Sequence, residues 1–189
     1  EKERLRMGHL ARSHWEALVN AMGRLAYATL QIDETPALTL PELRAKAMRL
    51  LGGASNAVIF VDYIQLIRPL KGERLPRHEQ IGQITGALKQ LAKEMHVPVV
   101  ALAQLSRATE QRKDRRPQLS DLREGGSLEM DADVVLLIWH RGQSRRGQSD
   151  TTTAELLVEK ARSGPTGSVR VGWKRKVASF VNLSQEGEP

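Results

Sequence analysis

Residues Ala57–Arg68 read AVIFVDYIQLIR, and the fold turns on how they are read. Ala57 to Val61 form an unbroken apolar run that ends at Asp62. Such a run predicts a strand buried on both faces, as in a parallel sheet covered by helices. An acid at the C-terminal end of that strand stands where open α/β sheets bind ligands. A carboxylate there can hold Mg²⁺, directly or through water, as the Walker-B acid of P-loop NTPases does. A core strand that ends in a turn Asp has the same local sequence, so the flanking residues decide between the two.

Downstream, Ile81, Ile84, Leu88, Leu91 and Met95 step by threes and fours, which predicts a helix over 78–95 with one buried stripe. PVVALAQL at 98–105 and the apolar run Val134 to Trp139 predict two further buried strands. Between them lies a strongly basic stretch, Ser106 to Pro117, which is either a contact surface or simply a solvated loop. Ser120 is positioned to cap a short helix before Gly125-Gly126. Upstream, Ser13 and Glu16 have the spacing of a capping box. A helix to Tyr27 follows, with Trp15, Leu18, Val19, Met22 and Leu25 at helical spacing and Trp15 read as core. Thr29 to Ile32 reads as a short strand. Thr39 and Glu42 form a second capping box, opening a helix that stops at Gly52-Gly53.

Loops are expected over 68–77 and 141–150, the second of them mobile. Thr153 to Lys160, Ser168 to Lys174 and Ala178 to Leu183 read as a meander, with a frayed tail over 184–189. The expectation is an α/β fold: a mostly parallel sheet flanked by helices and extended by antiparallel strands at its C-terminal end, forming one domain over 1–183.

The 189 residues are enough for a sizeable core, and with 40% hydrophobic but only 4% aromatic residues that core is aliphatic. A net charge of +7 and a pI near 10.0 point to a polyanionic partner. Cysteine is absent, which excludes disulfides and thiolate metal sites. The five histidines show no metal-ligand spacing. No run of about 18 apolar residues occurs, so no membrane-spanning helix is expected. The sequence opens on Glu1 rather than Met, and residues before it are expected.

Candidate functional residues collect at strand ends. Asp62 ends one strand, Gln104 lies near the end of the next, and DLREGGS at 121–127 precedes the third. Lys160 and Arg162 leave the first strand of the meander. An acid and an amide at neighbouring strand ends make a nucleotide-site constellation.

The stretches VDYIQLI at 61–67, LKQLAKEMHVPVVALAQLSR at 88–107, RRPQLSDLREGGSLEMDADVV at 115–135 and EKARSGPTG at 159–167 carry a resemblance. In these motifs and in their order, the chain from about Arg4 to Leu183 resembles the C-terminal, RecA-like ATPase domain of bacterial replicative DNA helicases of the DnaB family. The resemblance implies ATP and Mg²⁺ as cofactors, with Asp62 as the Walker-B acid, acting on the metal through water. It implies Gln104 as the sensor that couples the γ-phosphate to the DNA-binding loops. Arg123, Glu124 and Gly126 fall where that family grips the single-strand backbone. Lys160 and Arg162 resemble the pair that reaches a neighbouring subunit's nucleotide, with Arg162 as the arginine finger. The implied assembly is a homohexameric ring that moves 5′ to 3′ on single-stranded DNA in the bacterial cytoplasm, meeting primase and a helicase loader through the whole protein.

Departures from the family pattern stand beside it. No G-x-x-x-x-G-K-S/T P-loop occurs in the sequence, and in the family that loop and the catalytic Glu lie upstream of the segment matching Arg4. This chain alone is therefore expected not to hydrolyse ATP. Gly125 and Ser163 replace the serine and asparagine usual at those positions. Two other readings fit the same residues: a non-catalytic RecA-like module that binds DNA or helicase subunits, and a RadA-like recombination ATPase. DLREGGS argues against the second.

Overall fold

The computed structural model describes residues 6–8, 10–54, 56–69, 75–106, 108–112, 114–122, 126–140 and 151–183. The expected loop at 141–150 and tail at 184–189 lie outside the described residues. Two compact units are formed, Glu1–Glu34 with Gly142–Ala154 and Arg170–Pro189 in one, and Thr35–Arg141 with Glu155–Val169 in the other.

In the first unit, helix α1 spans Arg12–Ala26 and starts from Ala11 without a side-chain cap. The capping box expected at Ser13 does not form, because the helix begins one residue earlier and takes Ser13 into its first turn. None of its residues is buried. Trp15, Val19, Met22 and Leu25 are all more than half exposed, so Trp15 is not a core residue. Thr29 to Ile32 form no strand. A four-residue run needs a neighbouring ladder to become one, and Leu30 and Ile32 lie exposed instead. The meander's far end belongs to this unit. There Trp173 packs on Phe180 with ring centroids 4.7 Å apart.

In the second unit, helix α2 spans Leu40–Leu51 and the expected capping box is present. The Thr39 N–H donates to the Glu42 carboxylate at 2.8 Å, which holds the Glu42 carboxyl below its usual range. The helix ends at Gly52 with φ +51°, a left-handed cap that glycine adopts without strain. Strand β1 covers Ile59–Val61, helix α3 Arg77–Met95 and strand β2 Val99–Ala101. The α3 stripe falls as its spacing demands, with Ile81, Ile84, Leu88 and Leu91 buried. β1 and β2 pair in parallel, in register Ile59↔Val99 and Val61↔Ala101.

After β2 come the short helices α4 (Ala108–Gln111) and α5 (Gly126–Asp131), then strand β3 (Val134–His140). Ser120 caps no helix. It sits inside a 3₁₀ turn, Leu119–Asp121, whose own box joins Gln118 to Asp121. Strands β4 (Thr151–Ala161), β5 (Gly167–Lys174) and β6 (Ser179–Val181) complete the meander. Two sheets result, β1–β2 and β3–β4–β5–β6. The β5–β6 pair is antiparallel, as the sequence pattern requires.

Two aliphatic clusters hold the second unit. Val61, Ile64, Ile67, Ile81, Ile84 and Leu88 form one, under β1 and β2. Leu122, Val135, Leu137 and Leu157 form the other, under β3 and β4. Leu128 of α5 packs against both. The opposite faces of β1 and β3 are bare. Phe60 is 66% exposed, Leu136 60% and Ile138 52%. The expectation of strands buried on both faces is corrected for β1 and β3: among the described residues, one face of each is packed and the other is exposed.

Candidate functional site

Asp62 follows directly on β1 and is exposed. The chain beyond it is fixed to the end of β2 by two hydrogen bonds, Leu102 N–H to the Val61 carbonyl at 2.9 Å and Ile64 N–H to the Leu102 carbonyl at 3.0 Å. Gln104 stands just past that crossing, its side chain exposed. Its N–H lies 3.4 Å from Gln65 Oε1. The structure thus brings Asp62 and Gln104 to the same, C-terminal end of the parallel pair. Gln65 was not singled out in the sequence. Its carbonyl accepts from Arg77 at 2.7 Å, while its amide nitrogen is buried without a partner. A buried donor left without a partner, on a side chain that touches the Gln104 backbone, is a feature that a polar ligand or water would satisfy.

Gln104 is also tied to the next motif. Leu105 pairs with Leu122 in an antiparallel bridge, and the Ser106 N–H donates to the Asp121 carbonyl at 2.7 Å. The buried Asp121 carboxylate accepts from Arg112 and, at 2.8 Å, from the Gln118 N–H. Burial pushes the Asp121 carboxyl up, but Arg112 and the Gln118 N–H outweigh it and hold it below the usual range. Arg116 ion-pairs with Glu155 at 3.0 Å and lies over the Trp139 ring at 5.0 Å. Two cations of the basic stretch are therefore structural. Arg123 and Glu124 lie outside the described residues, and Gly126 is the exposed first residue of α5.

Lys160 and Arg162 form a separate pair. Lys160 Nζ donates to the carbonyls of Glu129 and Met130, at the C-terminal end of α5, where a cation complements the helix dipole. Arg162 meets Asp133 twice, through its N–H to the Asp133 carbonyl at 2.8 Å and its guanidinium to Oδ1 at 3.2 Å. Asp133 Oδ2 takes Lys89 of α3. The Lys89 ammonium, with Arg162 and Lys160 behind it, holds the Asp133 carboxyl low. Among the described residues no hydrogen bond or ion pair joins this pair to Asp62 or Gln104. Asp133 and Lys89 both lie within quoted motifs, yet nothing in their spacing marks them as partners of Arg162.

No group of three or more His, Cys, Asp or Glu side chains among the described residues forms a metal cage. A Mg²⁺ held by one carboxylate, with waters and phosphates completing its shell, requires none. A groove of about 650 Å³ lies between α2 and α3, lined by Leu43, Met48, Ile84 and Glu94 among others, and it contains none of these site residues.

A parallel pair carrying an acid and an amide at its C-terminal end, followed by an antiparallel meander, is the arrangement of a RecA-like ATPase domain. One solved ATPase domain superimposes with a TM-score of 0.86 at 32% identity, over 96% of this chain and 65% of that one. A DnaB-like replicative helicase, solved in a study of its interactions with primase, superimposes with a TM-score of 0.82 at 32% identity, over 93% of this chain and 42% of that one. The chain belongs to the family described as the DnaB-like helicase C terminal domain, which matches residues 1–182. It is 38% identical over 183 residues to replicative DNA helicase DnaB of Geobacillus stearothermophilus, covering 97% of this chain and 40% of that protein. The figures for replicative DNA helicase DnaC of Bacillus subtilis (strain 168) are also 38%, 97% and 40%. The chain thus spans about two-fifths of the length of these relatives.

Proposed function

We propose that this chain is the sensing and coupling part of an ATP-driven replicative DNA helicase motor, which moves 5′ to 3′ on single-stranded DNA as a homohexameric ring. The observation that carries this reading is the position of Asp62 and Gln104 at one end of the parallel pair, within a chain that matches the helicase family over 1–182. Asp62 holds Mg²⁺ through water, and Gln104 senses the γ-phosphate. Arg123, Glu124 and Gly126 grip the DNA backbone. Arg162, supported by Lys160, serves the neighbouring subunit's nucleotide. The basic charge of +7 favours a polyanionic track. Primase and a loader meet the whole protein at the replisome in the bacterial cytoplasm. No described helix is long and apolar enough to cross a membrane.

The residues present fit the metal's acid and the γ-phosphate sensor, but the sequence holds no loop to cradle the β- and γ-phosphates. The bare face of β1 supports the same division, since parallel strands of this class carry helices on both faces. The test is ATP turnover with single-stranded oligo-dT. The 189-residue chain shows none, and the full polypeptide with its P-loop shows turnover that Asp62→Ala abolishes. Mg²⁺-dependent turnover by the 189-residue chain itself, lost in Asp62→Ala, would overturn the assignment of the phosphate cradle to other residues.

A further inference from the structure

Helix α5 is short, but it is held along its length. Three positions of α3, Gly82, Thr85 and Lys89, recur at helical spacing and meet it in turn. A Cβ built on Gly82 would lie 3.5 Å from Ser127. The Thr85 hydroxyl donates to Asp131 at 2.5 Å. Lys89 ion-pairs with Asp133, just past the helix end. Leu128 anchors the same helix in both aliphatic clusters.

The two ends of this strut carry different business. Its N-terminal residue is Gly126, the last member of the proposed DNA grip. Its C-terminal carbonyls hold Lys160, and Asp133 holds Arg162. We infer that Asp133, oriented by Lys89, is the positioning residue for the Arg162 finger. This inference rests on the motor reading above.

The division of labour within the carboxylate favours a holder rather than a trap. Lys89 occupies Oδ2 and leaves Oδ1 to Arg162. The Arg162 and Asp133 side chains are 57% and 55% exposed. An ion pair so solvated contributes little to stability. A triphosphate offered by a neighbouring subunit carries more charge and displaces it readily. The backbone bond from Arg162 to the Asp133 carbonyl keeps the base of the side chain in place meanwhile.

Two measurements test this. In the full polypeptide, Asp133→Asn lowers DNA-stimulated kcat roughly 10- to 100-fold, as misplacement of a catalytic group does, with KM for ATP within about twofold. Asp133→Glu recovers most of that loss. An unchanged kcat, or a fall that tracks a lowered melting temperature and is not rescued by Glu, overturns the inference. In the 189-residue chain, the Asp133 carboxyl is titrated by ¹³C NMR. Arg162→Met raises its midpoint if the pair exists and leaves it unmoved if it does not, which also overturns the inference. Absence of turnover in the unsubstituted full polypeptide would sink the motor reading alone, and the titration would still decide whether Asp133 holds Arg162.

Discussion

Asp121 shows how one side chain can fix a site it does not belong to. Its carboxylate is 5% exposed and is met by Arg112, itself only a third exposed, and by the Gln118 N–H. Removing the acid leaves a half-buried guanidinium without its counter-charge, held only by the Arg116 carbonyl and the Gln118 amide oxygen. Asp121→Ala is therefore expected to cost about 3 kcal/mol in urea unfolding. The pH dependence has a definite sign. The folded carboxyl titrates below its unfolded value, so its contribution is complete above about pH 4 and is lost as pH falls through the lower, folded value. The melting temperature of the wild type should exceed that of Asp121→Asn at pH 7, and the gap should close below about pH 4. None of this was legible in the sequence. Asp121 reads there as one more acid in a motif, because its partner Arg112 is reached only through the turn at Leu119–Asp121. The placement of Asp62 and Gln104 at neighbouring strand ends was legible, because each follows directly on an apolar run.

Secondary structure was readable wherever its cause is local. The capping box at Thr39 and the stripe of α3 needed only residues three and four apart, and both formed as expected. Thr39→Ala should cost about 1 kcal/mol, the usual loss for such a cap. Ile81→Ala, at a fully buried position between α3 and β1, should cost about 3 kcal/mol in the same urea series. If Ile81→Ala cost no more than Thr39→Ala, the aliphatic cluster would not be the chief support of this unit. Reading failed where the cause lies in another element. Thr29 to Ile32 has strand composition but no ladder to join, and the Ser13 box was pre-empted by a helix that starts at Arg12. Trp15 has the spacing of a core residue and is nevertheless 52% exposed, because no buried residue of the described chain lies on α1.

At the scale of the molecule, the bare faces of β1 and β3 are apolar surface with no cover among the described residues. Leu136 and Ile138 alternate with the buried Val135 and Leu137, so β3 is built to be covered on both sides. Leu136→Glu should change the stability of the 189-residue chain by no more than about 0.5 kcal/mol, as at other exposed sites, but should destabilise a polypeptide carrying the rest of the ATPase domain by about 2 kcal/mol or more. Equal effects in both would mean that this face stays open. The fold class was legible because long motifs and apolar runs alternate along the chain. The bare face was not, since an apolar run does not record whether another element will cover it. The motor reading stands or falls on an active centre shared between subunits. It is tested by mixing two full-length variants, Asp62→Ala and Arg162→Ala, each expected to lose DNA-stimulated ATPase on its own, the second by roughly 10³-fold or more. If Arg162 serves its neighbour's nucleotide, mixed rings contain interfaces where an intact Asp62 faces an intact Arg162, and turnover reappears on mixing. If the mixture stays as inactive as its components while still forming rings, Arg162 acts within its own subunit or not at all, and the shared site is contradicted.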